Sequence, residues 1–246
     1  MEPVYRQSFV LNDMSLDCFG RLKLSALLYY IQEVSGHHSR LLGADADTLA
    51  AKRLFWAVSR HRVQISRLPQ AGETITLETW PMPTTKVAYP RSIVAFDRDG
   101  NELFRAISLW VLMDLDTRGM VLPGKSGVIV DGTLTGSELD LPRALIPKDM
   151  SSQSRRPVTY SCLDRNGHMN NTRYLDWVTD LLPSGFHAGH APKEFIISYH
   201  NEALEGQTVS LDWKLTTDGC LQVDAHRENT DVSSPQERVF SAQVQF

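Results

Sequence analysis

Three polar side chains stand at alternate positions in LDRNGHMNNTRYLDWV (Leu163–Val178): a carboxylate at Asp164, an amide at Asn166 and an imidazole at His168. Histidine titrates near neutral pH and can take or give a proton. An asparagine amide can hold a water or a carbonyl oxygen, and a carboxylate can orient an imidazole. If the segment is extended, positions two apart share a face, so the sequence predicts that the three side chains meet. Tyr174, Trp177, Val178 and Leu181 then recur at helical spacing. Asn170 or Asn171 is the expected N-cap and Pro183 the stop. Free N–H groups at the start of such a helix suit a developing oxyanion. The motif holds no serine or cysteine, which favours an activated water over a covalent intermediate. Asp, Asn and His ahead of a helix are also ordinary loop and capping residues, and the triplet alone leaves both readings open.

The elements that must position these residues come from an internal repeat. VQISRLPQAGETITLETW (Val63–Trp80) resembles FIISYHNEALEGQTVSLDW (Phe195–Trp213), with Gly72 matching Gly206 and Thr74 matching Thr208. Upstream, Asp17 pairs with Asp164 and Gly20 with Gly167. Each half then places a helix: Leu24, Leu27, Leu28 and Ile31 in the first, the Tyr174 series in the second. Strand-like runs follow, FWAVSRHRVQI, TITLETW, RSIVAF and LFRAISLWVLMDL in the first half and FIISYHNEA, TVSLDWKL, CLQVDAH and VFSAQVQF in the second. DRDGN (Asp97–Asn101) and Thr217-Asp218-Gly219 read as hairpin turns, so the pairing is antiparallel. The expectation is an α+β chain in which each half is a long helix covered by a curved antiparallel sheet. Leu115 to Pro157 is rich in Gly, Ser, Pro and Asp. The halves are therefore set at 1–125 and 158–246, with a linker at 126–157.

The halves differ where chemistry is possible. Asn166 corresponds to Phe19, His168 to Arg21 and Glu202 to Leu68. The second half is expected to carry the chemistry, and the first to be a structural or substrate-holding partner.

Composition narrows the class. The 246 residues are 42% apolar and 22% charged, with a net charge of −4, which argues against a nucleic-acid partner. No apolar run is long enough to span a membrane. The N-terminus resembles neither a signal nor a transit peptide. Three scattered cysteines (Cys18, Cys162, Cys220) fit a reducing compartment. A cytoplasmic protein is expected, and monomer and homodimer are equally feasible.

The pattern D-x-N-x-H-x-N-N-x-x-Y-x-x-W, matched by Asp164, Asn166, His168, Asn170, Asn171, Tyr174 and Trp177, resembles the acyl-acyl-carrier-protein (acyl-ACP) thioesterase family, both the plant chain-terminating enzymes and their bacterial relatives. The resemblance extends through YYIQEVSGHHSRLLG and FWAVSRHRVQI to most of the chain. It implies a tandem (double) hotdog fold, each half a long helix wrapped by an antiparallel sheet. It implies hydrolysis of the thioester linking a fatty acyl chain to an acyl carrier protein. The catalytic set it implies is Asp164, Asn166, His168 and Glu202. No cofactor is implied beyond the phosphopantetheine that arrives with the substrate. The family's cysteine position holds Ala203, which excludes a thiol nucleophile there. Without a plant-style N-terminal extension, a bacterial setting is expected rather than a plastid one. The alternatives are an acyl-CoA thioesterase on the same scaffold, a hotdog dehydratase, and a non-catalytic acyl-binding protein; retention of the full polar set in one half argues against the last.

Other motifs are weaker. Gly119–Ser126 matches G-x-x-x-x-G-K-S, but GVIVDGTLTGS after it has no helix pattern, so a chance match is expected. His187 and His190 have no third metal ligand near them in sequence, and no metal is expected. His37-His38 lies on the first helix, where a satisfied structural histidine is the better reading. Phe55, Trp56, Trp80, Trp110 and Trp213 read as core, and some residues around the first helix are expected to line an acyl pocket. An acidic carrier would need a basic surface, for which Lys52, Arg53, Arg60, Arg62, Arg67, Arg155, Arg156, Arg165 and Arg173 are candidates.

Overall fold

The structure is a computed structural model describing residues 3–228 and 236–246. The chain forms two compact units, Met1–Pro142 and Arg143–Phe246. The first runs β1 (Tyr5–Val10), α1 (Leu24–Leu41), α2 (Ala46–Ala50), β2 (Leu54–Ile65), β3 (Thr74–Pro81), β4 (Tyr89–Phe96), β5 (Glu102–Asp114), β6 (Met120–Val121) and α3 (Pro123–Ser126). The second runs β7 (Ser152–Pro157), α4 (Arg173–Thr179), α5 (Ser184–Gly189), β8 (Glu194–Tyr199), β9 (Thr208–Leu215), β10 (Cys220–Arg227) and β11 (Arg238–Gln245).

Strand order within the first unit is β1-β3-β4-β5-β2, and within the second β7-β9-β10-β11-β8, with antiparallel pairing throughout. The sequence repeat is therefore a repeat of topology. The hydrogen bonds repeat too. Leu11 N donates to Glu73 O (3.0 Å) as Val158 N does to Gln207 O (2.8 Å), and Leu22 N to Pro69 O (2.8 Å) as Met169 N does to Ala203 O (2.8 Å). Both hairpins expected from turn residues are present, with Gly100 and Gly219 at φ 83° and 79°, a region that glycine enters without penalty.

α1 turns Leu27, Leu28, Ile31 and Val34 inward, all fully buried, and packs on β3 and β1. Each such side chain contributes about 1.5–3 kcal/mol of burial. The same layer holds a polar group. Arg91 on β4 is buried and donates from Nη1 to His38 Nδ1 on α1 (3.0 Å) and to Thr79 Oγ1 on β3 (3.2 Å). Burial pulls its guanidinium down to about 10, which leaves it charged at neutral pH. His38 is thus a structural histidine in the core, as its place on the helix predicts, and His37 pairs with Gln7 Oε1.

Several expectations are corrected. Among the described residues the second unit has no long helix: α4 is seven residues, and Pro183 caps the start of α5 rather than simply ending a helix. Its N-cap is Thr172, not Asn170 or Asn171, although the Asn170 side chain accepts from Thr172 N (3.0 Å). The expected linker at 126–157 ends in a strand, since Ser152–Pro157 is β7 and pairs with β9. Its polar SQSRRP sequence hides the strand from a hydrophobic pattern. The short edge strand β1 was missed for the same reason, as its burial only alternates between half-buried and exposed.

Within the first unit the linker residues lie along one face of the sheet. Arg60 donates to Pro142 O (2.7 Å), Arg105 to Ser137 O (2.9 Å), and Thr133 N to Pro81 O (2.9 Å). Glu138 fastens this strap: one carboxylate oxygen accepts from Trp80 Nε1 (2.9 Å) and the other from Gly136 N (3.0 Å). Desolvation alone would raise its carboxyl, but the hydrogen bonds from the Thr135 amide, from its own amide, and from the Trp80 and Thr135 side chains outweigh it and hold it at about 2. A depressed folded-state value means stabilisation that is present above the ordinary carboxylate range and lost as pH falls through about 2. Glu138→Gln should therefore lower Tm by a few degrees at pH 7, and the gap to wild type should close as thermal melts are taken down from pH 4.5 towards pH 2.

Candidate active site

The polar triplet is not extended. Leu163 and Met169 form an antiparallel bridge, and between them Asp164–Gly167 turns on Gly167 at φ 78°. The carboxylate of Asp164 is the former of this loop: Oδ1 accepts from Asn166 N (2.8 Å) and His168 N (3.2 Å). The loop closes with Asp164 N donating to His168 O (2.7 Å) and Gly167 N to Asp164 O (3.0 Å). The first unit builds the same loop with another filling. Asp17 Oδ1 accepts from Phe19 N (2.9 Å) and Arg21 N (2.9 Å), Asp17 N donates to Arg21 O (2.7 Å), and Gly20 has φ 73°. There the guanidinium of Arg21 closes on Asp17 Oδ2 at 3.0 Å.

The acid that meets the imidazole is Glu202. His168 Nε2 lies 3.4 Å from Glu202 Oε2, their side chains 24% and 48% exposed, so water reaches the pair. A bridge between His168 and Leu204 brings the two segments together. Asp164 does not orient the ring through its carboxylate; its second oxygen faces Asn166 Nδ2 at 3.5 Å. Asn166 itself is exposed. The loop thus gathers Asp164 with Asn166 within one turn of chain, and separately brings His168 to Glu202 on the neighbouring segment. Under them, Tyr174 on α4 packs on Phe240 (4.7 Å between ring centroids) and Tyr199 (5.8 Å). Burial, and then the Glu202 carboxylate, raise its hydroxyl well above the ordinary tyrosine value. The matching place to Glu202 in the first unit is Leu68, which is buried.

The expectation of free amides at the helix start is corrected at three positions. Asn170 N donates to Cys162 O (2.8 Å), Thr172 N to Asn170 Oδ1 (3.0 Å) and Arg173 N to Asn170 O (2.9 Å). The loop before α4 consumes these donors in its own hydrogen bonds.

The remaining motifs fall into structural roles. In Gly119–Ser126 the helix α3 ends at Ser126, where a phosphate-binding helix would begin, and Ser126 Oγ bonds Tyr89 Oη (2.8 Å). His187 bonds Thr179 O (3.0 Å), and His190 stacks on Phe186. Among the described residues, no three His, Cys, Asp or Glu side chains are grouped to hold a metal ion. Likewise, no described helix is long and apolar enough to cross a membrane. Of the candidate landing cations, Arg53 pairs with Asp116, Arg67 with Glu73, Arg155 with Glu228 and Arg173 with Asp176.

Two α+β units with one strand order, each with an aspartate-built loop, define a double hotdog-like protein. The N-terminal domain of acyl-ACP thioesterases matches residues 2–122, and the C-terminal domain matches 146–240. The chain belongs to the acyl-ACP thioesterase family. It is 24% identical over 227 residues to an oleoyl-acyl carrier protein thioesterase of Arabidopsis thaliana, covering 83% of this chain and 62% of that protein. The chain thus spans about three-fifths of the length of that plant relative. A crystal structure of an acyl-ACP thioesterase from Bacteroides thetaiotaomicron superposes with a TM-score of 0.87 at 23% identity, covering 99% of this chain and 98% of that one. A 12:0-ACP thioesterase from Umbellularia californica gives 0.82 at 20% identity, covering 100% and 97%.

The loop geometry carries its own test. Asp164→Ala and Asp17→Ala each remove a charged acceptor from two amides and should each cost about 1.5–3 kcal/mol in denaturant unfolding. Equal stability of Asp164→Ala and wild type would overturn the loop-forming role.

Proposed function

We propose that this protein hydrolyses the thioester of fatty acyl-ACP, releasing free fatty acid, with water as the nucleophile. The contact that carries the reading is His168 Nε2 against Glu202 Oε2 at 3.4 Å, in the one repeat unit that has both groups. Glu202 and His168 position and deprotonate the water. Asn166, exposed beside them, offers its amide to the substrate carbonyl or to the water. Asp164 fixes the loop that holds both. Ala203 beside Glu202 supports water rather than a thiol as nucleophile. The partner is an acyl carrier protein, whose phosphopantetheine brings the thioester; no cofactor of the protein's own enters the chemistry. A cytoplasmic setting fits the three free cysteines.

Thiol release from a panel of acyl-ACP and acyl-CoA thioesters tests this. His168→Ala and Glu202→Ala should each lower kcat by about 10²–10⁴-fold, with folding intact by circular dichroism. Faster release from CoA than from the carrier protein would move the assignment to an acyl-CoA thioesterase. Absence of release from every thioester would favour the dehydratase or the acyl-binding protein.

A further inference from the structure

Glu202 sits just beyond β8, and three hydrogen bonds pin the segment that carries it. His200 N and Asn201 N both reach Val239 O (2.8 and 3.2 Å), and Asn201 Nδ2 donates to Arg238 O (2.8 Å). The main-chain carbonyl of Glu202 itself is held by a side chain: Arg227 Nη2 donates to it at 2.6 Å. Arg227 is the last residue of β10, and its Nη1 is anchored on Glu237 Oε2 at 2.7 Å. Its backbone amide donates to Glu237 O at 2.8 Å. The Arg227 side chain is three-quarters covered, so this is a braced strut and not a waving surface charge.

The repeat isolates what is special about this strut. The first unit reproduces the backbone around it: Ser66 N and Arg67 N both reach Leu103 O (2.9 and 3.0 Å), and Asp97 N donates to Asn101 O (2.9 Å). Asp97 therefore occupies Arg227's place. Its carboxylate caps its own hairpin, accepting from Asp99 N (3.0 Å) and Asn101 N (2.8 Å). So the fold does not require an arginine at the end of this strand. The arginine appears in the unit that has Glu202 and is absent from the unit that has Leu68. Phe19 to Asn166, Arg21 to His168, Leu68 to Glu202 and Asp97 to Arg227 change together.

We infer that Arg227 is a positioning residue for hydrolysis, holding the Glu202 carbonyl so that the carboxylate stays against His168. This rests on the reading of Glu202 as part of the hydrolytic site.

The test is a double-mutant cycle with an exchange measurement. Arg227→Met keeps the bulk of the side chain and removes its donors. It should lower kcat on acyl-ACP by about ten- to a hundredfold, the scale of a small misplacement, with KM little changed. Arg227→Lys, which restores a donor of similar reach, should recover most of the loss. In a Glu202→Gln background Arg227→Met should cost almost nothing more, since the group it positions is already disabled. Hydrogen exchange at the amides of residues 200–207 should be faster in Arg227→Met and unchanged in Glu202→Gln. Full additivity with Glu202→Gln, or an unchanged exchange pattern, overturns the inference. Should Arg227→Met fail to fold, Arg227→Leu, which also lacks a side-chain donor, carries the same two readings. If the wild-type protein releases no thiol at all, the hydrolase reading fails by itself, and the exchange data alone decide whether Arg227 holds the segment.

Discussion

One carboxylate oxygen accepting two backbone amides is the constraint on which the site depends. Asp164 Oδ1 draws in the N–H groups of Asn166 and His168 and so curls five residues into a turn. Without it those amides would need other partners, and the imidazole would leave its place beside Glu202. A glycine at φ 78° completes the turn because an L side chain there would strain the backbone. The same device around Asp17 shows that the loop is a property of the fold, independent of chemistry.

On a loop that both units share, side chains are free to diverge. In the first unit Arg21 turns back onto Asp17 and Phe19 lies under its guanidinium, 4.8 Å from the ring centroid. That loop closes on itself, with its cation paired to Asp17 and stacked against Phe19. In the second unit the corresponding amide and imidazole are left facing outward, with an acid on the neighbouring segment. The ion pair that closes within one loop in the first unit is replaced in the second by a contact between two segments. This difference, more than the presence of any residue type, separates the first unit's self-closed loop from the candidate site of the second.

The strands, hairpins and repeat were legible because they rest on local chemistry: alternation in TITLETW and TVSLDWKL, and Gly at the turn positions of DRDGN and Thr217-Asp218-Gly219. The polar strands Tyr5–Val10 and Ser152–Pro157 were not, since each lies at an edge of its unit's sheet order and has only one partner to satisfy. The helix start at Thr172 and the consumed amides were hidden as well. Asn170 and Asn171 both look like caps, and only the fold reveals that the helix starts from its cap at Thr172, two residues after Asn170, whose side chain and carbonyl accept from Thr172 and Arg173. The four polar residues themselves were readable from the repeat and the motif. Their pairing was not: alternation suggested that Asp164 meets His168, whereas a bridge through Leu204 delivers Glu202 instead. Arg227 left a trace in the sequence, a cation aligned with an acid, but only strand pairing shows which positions align.

The second unit's short helix bears on how the site is supported. α1 spreads its burial over eighteen residues, while α4 has seven and concentrates its packing in aromatic rings. Tyr174 contacts Phe240, Tyr199 and Trp177, and the hydroxyl of Tyr199 ties back to Asn171 O (3.0 Å) just ahead of the helix. The same Tyr174 feels the Glu202 carboxylate, and burial keeps its phenol protonated, so near that acid it acts as a neutral neighbour and adds no second negative charge. The core of the second unit therefore reaches the candidate site through one ring. A short helix suffices because it has only to fix that ring, while the aspartate loop above and the β10 strut at the side hold His168 and the Glu202 segment.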